Sequence, residues 1–295
     1  SPGNYFVKSW VNGRFYPLPI NLNTLEQFFG LSLDRDRAEV LLASLKEDIQ
    51  APQNSEEVVV SQVGRALYEA FYLNYTIKQW GLHPSRLRPS VCARIPVRLN
   101  RDDRYFDAPF QMLPANGYTA MMGKMVEHPN IRVLLNCDFA DIRNLVNPRH
   151  ATVYSGPLDE YFAHRLGTLP YRSLRFEYLT DERPWAQPCV QVNYPNNHDY
   201  TRTVEYKHLH PSSSERTIVG YEFPCSTGDP FYPIPSTEHE HLADKYRRLA
   251  AVERAEKRVY FAGRLAEYRY LNMDEVIDRA FEVFKEICRD VAKRR

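Results

Sequence analysis

Glycine is scarce in this chain, 12 of 295 residues, and nowhere does it fall as Gly-x-Gly-x-x-Gly. The turn that seats a dinucleotide pyrophosphate on a helix N-terminus is therefore not encoded in these residues. Cysteine is thin as well: Cys92, Cys137, Cys189, Cys225 and Cys288 are far apart, odd in number and never paired as Cys-x-x-Cys. That pattern argues against a zinc knuckle or a disulfide framework and fits a reducing cytoplasm. No apolar run approaches the roughly 20 residues of a membrane span, and the opening Ser-Pro-Gly-Asn lacks a basic segment followed by an apolar core. Net charge is only +1, which leaves no long-range field to hold a nucleic acid or an anionic membrane, so any cations that matter act locally. Gly-x-Ser-x-Gly, Ser-x-x-Lys and His-Glu-x-x-His are absent, and no carboxylate pair stands in a glycosidase-like context. His239 and His241, two residues apart on an expected helix, face different ways and are read as solvated, so no metal site is expected. Asp159 reads as a helix-start residue.

What the chain does have is aromatic rings, 20 of them tyrosine. Tyrosine joins an apolar face to a hydrogen-bonding tip and so suits sugar and nucleotide pockets, although cores and sheet faces account for most such residues. Residues 5–11 alternate, Asn12-Gly13 is a type I′ turn signal and residues 14–18 return, predicting a hairpin. Helix signals fill residues 21–95. Asn23 or Thr24 caps a helix that Gly30 ends, Asp34 caps another through Leu45, and Asn54 with Glu57 caps a third bearing Val59, Val63, Ala66, Leu67, Ala70 and Phe71 on one face. Pro84-Ser85 starts one more.

An extended stretch over 97–114 leads to a helix over 118–127, then to expected strands at 131–137 and 152–155. Residues 168–235 read as an antiparallel meander with strands near 172–178, 189–194, 201–208 and 217–223. A helix capped by Thr237 and Glu240 runs to about Ala255. A short strand over 258–262 then meets Gly263-Arg264 and a long amphipathic segment from Met273, a geometry in which backbone and guanidinium donors can meet a phosphate or flavin oxygen. An ordinary turn is the commoner meaning of Gly-Arg after a strand.

Two runs carry more. Tyr72-Leu73-Asn74-Tyr75-Thr76-Ile77-Lys78-Gln79-Trp80-Gly81 is a helix end rich in rings, with Phe71 and Tyr75 four residues apart, and could sandwich a uracil or cap a helical core. Gly263-Arg264-Leu265-Ala266-Glu267-Tyr268-Arg269-Tyr270-Leu271-Asn272-Met273-Asp274 closes the chain's last strand. The first resembles the uridine-binding segment of the UDP-galactopyranose mutases and the second their carboxy-terminal flavin-contact motif. Between them, Cys92-Ala93-Arg94-Ile95-Pro96-Val97-Arg98 is similar to the family's mobile loop. Tyr105, Arg172, Asn193, Arg202 and Tyr232 fall in further similar runs in the same order.

The resemblance implies an FAD-dependent isomerase that interconverts UDP-galactopyranose and UDP-galactofuranose through an adduct of reduced flavin N5 with the anomeric carbon, for cell-surface glycans. It implies that Phe71, Tyr75, Thr76, Trp80, Arg94, Tyr105, Asn193, Arg202, Tyr232 and Tyr270 contact the nucleotide sugar. Arg172, Arg264, Tyr270, Asn272 and Met273 are implied to contact the flavin, with Arg94, Arg172 and Arg264 as the catalytic cations. Its fold would be mixed α/β and α+β. A hairpin remnant of a Rossmann-like FAD/NAD(P)-binding domain would occupy residues 1–20, a helical uridine-binding domain 21–95 and an antiparallel sheet domain 96–128 with 157–235. Returning parts of the FAD-binding domain would occupy 129–156 and 236–295. The expected partners are UDP and its galactosyl esters, with no nucleic acid and no membrane span, and a homodimer is left open.

Three departures qualify the resemblance. The family's glycine-rich FAD cradle has no counterpart here, so the chain is expected to bind flavin weakly and to expose apolar edges. Asn272 stands where an aspartate is usual, and Tyr5 falls near a position where bacterial members often carry a polar amide. The competing expectations are an inactive UDP-sugar-binding module without FAD and another flavoprotein that shares only the fold.

Overall fold

The computed structural model describes residues 5–293; the opening Ser-Pro-Gly-Asn lies outside them. The chain forms two compact units, Ser1–Met121 with Leu174–Gly228, and Met122–Ser173 with Asp229–Arg295.

The expected hairpin is present as β1 (Val7–Val11) and β2 (Arg14–Leu18). Asn12 and Gly13 between them have φ of 48° and 80°, the twist that a two-residue turn needs. α1 (Leu22–Phe29) is capped by Asn21, whose side chain accepts the Thr24 N–H at 3.1 Å while the Thr24 hydroxyl accepts the Asn21 N–H at 3.3 Å. The cap thus falls two residues before Asn23, because a reciprocal pair satisfies two orphan donors and a single side chain only one. α2 (Arg35–Leu45) follows Asp34 as anticipated. α3 (Ser55–Val63) is capped by Asn54, but Glu57 accepts the N–H of Gln53 at 2.6 Å instead of closing the box on Asn54.

The helix expected to run on through Phe71 is interrupted. Gly64 has φ of 79°, and a Cβ on it would lie 2.2 Å from the Leu45 carbonyl oxygen, so the backbone of α2 occupies the space a side chain would need. The chain restarts as α4 (Arg65–Leu67), widens into a π-helical turn over Tyr68–Leu73, and returns to α-helix in α5 (Asn74–Trp80), which Gly81 ends with φ of 69°. π turns of this kind concentrate at functional sites. A single 3₁₀ turn at Pro84–Arg86 and α6 (Ser90–Ala93) complete the helical region.

Beyond it come α7 (Gly117–Val126), α8 (Phe139–Ile142), β3 (Thr152–Tyr154) and α9 (Leu158–Tyr161). β4 (Tyr171–Asp181), β5 (Gln191–Asn193), β6 (Arg202–Glu205) and β7 (Thr217–Cys225) follow. The chain closes with β8 (Tyr232–Pro233), α10 (Thr237–Lys257), β9 (Val259–Phe261) and α11 (Met273–Ala292). Ser236, one residue before the expected Thr237, caps α10 by accepting the His239 N–H at 3.3 Å.

In the first unit the strands lie in the order β2-β1-β5-β6-β7-β4. β1 runs parallel to β5, and β6 is antiparallel to both of its neighbours, β5 and β7. The first hairpin is therefore part of the sheet that holds the meander. Register aligns Ser9 with Asn193, Asn193 with Arg202 and Arg202 with Glu222, one transverse row whose side chains share a face. Leu25, Val60, Leu67, Tyr68 and Leu87 are buried among the helices.

In the second unit β3 and β9 form a two-stranded parallel sheet, and β8 pairs with the first two residues of β4. Leu158, Tyr161, Phe162, Leu169, Ala243, Tyr246, Val259 and Tyr268 make its main core. Residues 131–137, expected as a buried strand, form no strand, and Leu134 and Leu135 are 72% and 79% exposed. An apolar run becomes a buried strand only where a neighbour takes its backbone hydrogen bonds, and neither β3 nor β9, which pair with each other in a two-stranded sheet, pairs with it. The fold class is mixed α/β with a mostly antiparallel sheet.

Candidate functional site

The row across β5, β6 and β7 is the floor of the polar cluster in the first unit. Arg202 donates through Nε to Glu222 Oε2 at 2.6 Å, a charge-assisted bond between two largely buried groups. One strand over, the Tyr5 hydroxyl donates to Gln191 Oε1 at 2.8 Å and Gln191 Nε2 donates to Asn193 Oδ1, also at 2.8 Å. Asn193 is thus held by a relay that begins at Tyr5. The Tyr5 ring meets Tyr105 and Phe106 at centroid distances of 6.4 and 5.6 Å, and Tyr105 N–H donates to the Tyr5 carbonyl at 2.8 Å.

α5 adds Tyr75 and Thr76. Burial pushes the Tyr75 hydroxyl up to about 12, with Arg202 and Arg94 opposing and Tyr105 and Glu222 adding to the shift. Tyr75, Arg94, Tyr105 and Arg202 therefore share one electrostatic neighbourhood. Burial also raises the Cys92 thiol, partly offset by hydrogen bonds with Ser55 and Thr76; these bonds anchor α6, whose C-terminal residue leads into Arg94, to α3 and to α5. Trp80 is buried where α5 ends. Phe71 is turned into the core, its ring 5.4 Å from Tyr16 and 5.6 Å from Phe28. The π turn ahead of α5 changes the helical phase, so the four-residue spacing of Phe71 and Tyr75 does not by itself put both rings on one face.

The second unit has its own cluster. The Arg264 guanidinium lies 5.0 Å from the Tyr232 ring and 4.8 Å from the Tyr270 ring, and the two rings stack 5.8 Å apart at 18°. It donates to the Leu271 carbonyl from Nε and Nη2, at 3.1 and 2.6 Å, and to the Phe231 carbonyl at 3.2 Å. Arg172 is buried opposite Tyr232 in the β4–β8 pairing. Asn272 caps α11 and its N–H donates to Glu275 Oε2 at 2.6 Å; Met273, the first residue of that helix, is mostly exposed.

The turn that carries Arg264 and Tyr270 is pinned from beneath. Glu267 accepts the Gly263 N–H at 3.1 Å and the Arg279 Nε at 2.8 Å. Arg247 on α10 donates to the carbonyls of Glu267 and Tyr268, at 3.2 Å each from Nη2. Nearby, Asp159 is more than a helix start: fully buried, it accepts the Leu169 N–H at 2.9 Å and the Tyr171 hydroxyl at 3.1 Å. Glu222, Gln191, Glu267, Arg247 and Arg279 escaped the sequence reading. Only Glu222 left a signal, a carboxylate on a strand expected to pair beside Arg202.

Among the described residues no group of three or more His, Cys, Asp or Glu side chains is placed to hold a metal ion, and no helix is long and apolar enough to cross a membrane. Guanidinium forks and phenol hydroxyls dominate both clusters, a donor set suited to holding anions and to neutralising charge as it develops.

On an α/β fold, such clusters have the chemistry suited to phosphorylated ligands. A family profile described as UDP-galactopyranose mutase matches residues 70–270. The chain is 40% identical over 295 residues to a probable UDP-galactopyranose mutase of Klebsiella pneumoniae, covering 98% of this chain and 75% of that protein. It is 36% identical to a dTDP-fucopyranose mutase of Escherichia coli, covering 94% of this chain and 75% of that one. A crystal structure of reduced UDP-galactopyranose mutase has the same fold, with a TM-score of 0.66 at 15% identity over 92% of this chain and 75% of that chain. The chain belongs to the UDP-galactopyranose mutase family.

Proposed function

We propose that this chain is an isomerase interconverting UDP-galactopyranose and UDP-galactofuranose with a reduced flavin, FAD, in the cytoplasm. The observation that carries the reading is the grouping of Tyr75, Thr76, Arg94, Tyr105, Asn193 and Arg202 in the first unit around the first turn of α5 and the polar row of the sheet. Trp80 offers a ring for uracil, Arg94 and Arg202 meet diphosphate charge, and the Tyr75 and Tyr105 hydroxyls donate to phosphate or sugar oxygens.

The second unit fits one end of a flavin. At the C-terminal end of β9, Gly263 has φ of 105° and a Cβ there would meet nothing within 4 Å, so backbone is open to a planar ligand next to Arg264, Arg172, Tyr270 and the start of α11. The sequence holds no glycine-rich cradle for the adenosine diphosphate half. When bound, a reduced flavin supplies the electron pair that displaces a diphosphate from an anomeric carbon. The role of Arg264, Arg172 and the Tyr232 and Tyr270 hydroxyls is to orient and to stabilise the negative charge that then develops.

Calorimetry of the chain with UDP and with dTDP tests the first half, and the dTDP arm decides whether the relationship to the dTDP-fucopyranose mutase extends to the base. Conversion of UDP-galactofuranose to the pyranose with added FAD and dithionite tests the second. Absence of UDP binding overturns the nucleotide assignment, and binding without flavin absorbance or turnover favours the inactive binding module.

A further inference from the structure

Lys78 has no part in the assignments above, yet its side chain makes an unusual set of bonds. From α5 its ammonium donates to three carbonyl oxygens of a single loop, those of Tyr194, His198 at 2.8 Å and Tyr200 at 3.0 Å. An ammonium has three N–H donors, enough to give one to each of these oxygens. The loop is short and self-packed: the rings of Tyr194, His198 and Tyr200 lie 4.8 to 5.0 Å from one another, and three carbonyls are left converging on α5. A second tie lies beside the first, with Asn196 Nδ2 donating to the Ala70 carbonyl at 3.2 Å and Asn74 Nδ2 donating to Asn196 Oδ1 at 3.0 Å.

The place of this loop gives the tie its consequence. It joins β5 to β6, which end and begin at Asn193 and Arg202. α5 carries Tyr75, Thr76 and Trp80. We infer that Lys78 is a positioning residue, a tethered cation that sets the distance between the ring-bearing helix and the two strand ends presenting Asn193 and Arg202. This rests on the reading of those residues as the nucleotide site. A neutral side chain of equal length would leave three carbonyls without their donor, and the loop would be free to carry the ends of β5 and β6 away from α5.

The experiment compares the full chain with Lys78→Met and Lys78→Arg, each shown to be folded by circular dichroism. Amide hydrogen exchange over residues 194–200 reads the loop, and calorimetry with UDP reads the site. In Lys78→Met exchange over 194–200 is expected to quicken about tenfold and the UDP dissociation constant to rise about tenfold; Lys78→Arg is expected to recover part of both. Unchanged exchange in Lys78→Met overturns the tether. Faster exchange with unchanged UDP affinity overturns the positioning role and leaves Lys78 a structural residue. If the parent chain itself binds no UDP, the nucleotide reading and the positioning role fall together, while the exchange readout still decides whether the tether exists.

Discussion

The two units carry their candidate residues in different ways. In the first, Asn193 and Arg202 stand on neighbouring strands in a row fixed by ladder hydrogen bonds and completed by Glu222. In the second, Arg264 and Tyr270 sit on an irregular turn between β9 and α11, where Gly263 and Tyr268 have φ of 105° and 48°. That turn has no strand ladder to hold it; beside short backbone bonds from the Glu267 N–H to the Gly263 carbonyl and from the Arg269 N–H to the Arg264 carbonyl, both at 3.0 Å, it relies on side chains: Arg247 grips two of its carbonyls, Glu267 its first N–H, and Arg279 the Glu267 carboxylate. A sheet row holds its residues with backbone bonds that any side chain permits. A clamped turn depends on particular side chains, so the two clusters should respond differently to substitution.

Phe71 tests whether the first unit separates core from site. Packed on Tyr16 and Phe28, it should lose about 3–5 kcal/mol of stability on Phe71→Ala, read as a shift of the urea midpoint. Phe71→Leu, which keeps most of the volume, should leave UDP affinity near that of the parent chain. A large loss of affinity in a well-folded Phe71→Leu would put this ring in the ligand site and erase the distinction.

Arg264 tests the second unit directly. Arg264→Ala removes the cation between Tyr232 and Tyr270, and turnover with reduced FAD should fall on the order of 10²-fold or more. UDP binding to the first unit's cluster should change far less. Equal losses in kcat and in UDP affinity would mean that the two clusters do not divide the work.

Glu267 gives a smaller and more local effect. Glu267→Gln keeps an acceptor for the Gly263 N–H and gives up the ion pair with Arg279, a change of about 1–2 kcal/mol for a partly buried charge-assisted bond. Exchange of amides over 263–271 should quicken while amides over 191–205 keep their protection. Equal quickening in both stretches would refute the idea that only the turn depends on its clamp.

The same contrast explains how much could be read from the sequence. The helices announced themselves through local chemistry: Asp34 and Asn54 cap, Gly30 and Gly81 end, and Asn12-Gly13 turns, each from a preference carried by one or two residues. Errors arose where a distant neighbour decides. Gly64 breaks its helix because the backbone at Leu45 comes close, a contact 19 positions away that no local pattern records. Residues 131–137 have strand composition, and composition supplies no hydrogen-bonding partner. The family runs marked Arg94, Arg202 and Arg264 as members of a motif. They did not mark Glu222, Glu267 or Lys78 as the groups that hold the motif in place, because support of that kind is a property of register and approach.

The smallest effect concerns pH and is one the two units should share. Burial is the chief cause that pushes the Tyr75 hydroxyl of the first unit up to about 12, and burial with a hydrogen bond to Glu253 does the same to Tyr161 in the second, also to about 12. An unfolded tyrosine ionises near 10, so between about 10 and 12 the folded chain holds protons that the unfolded chain has released. Stability from these residues is therefore complete below about pH 10 and is lost as pH rises through about 12. Urea midpoints taken at pH 9, 10 and 11 should decline, and Tyr75→Phe and Tyr161→Phe should each make the decline shallower by a similar amount. A Phe variant that declines as steeply as the parent chain would show that its hydroxyl is open to water in the folded state, and for Tyr75 that would remove the closed, poorly hydrated surroundings on which its donor role depends.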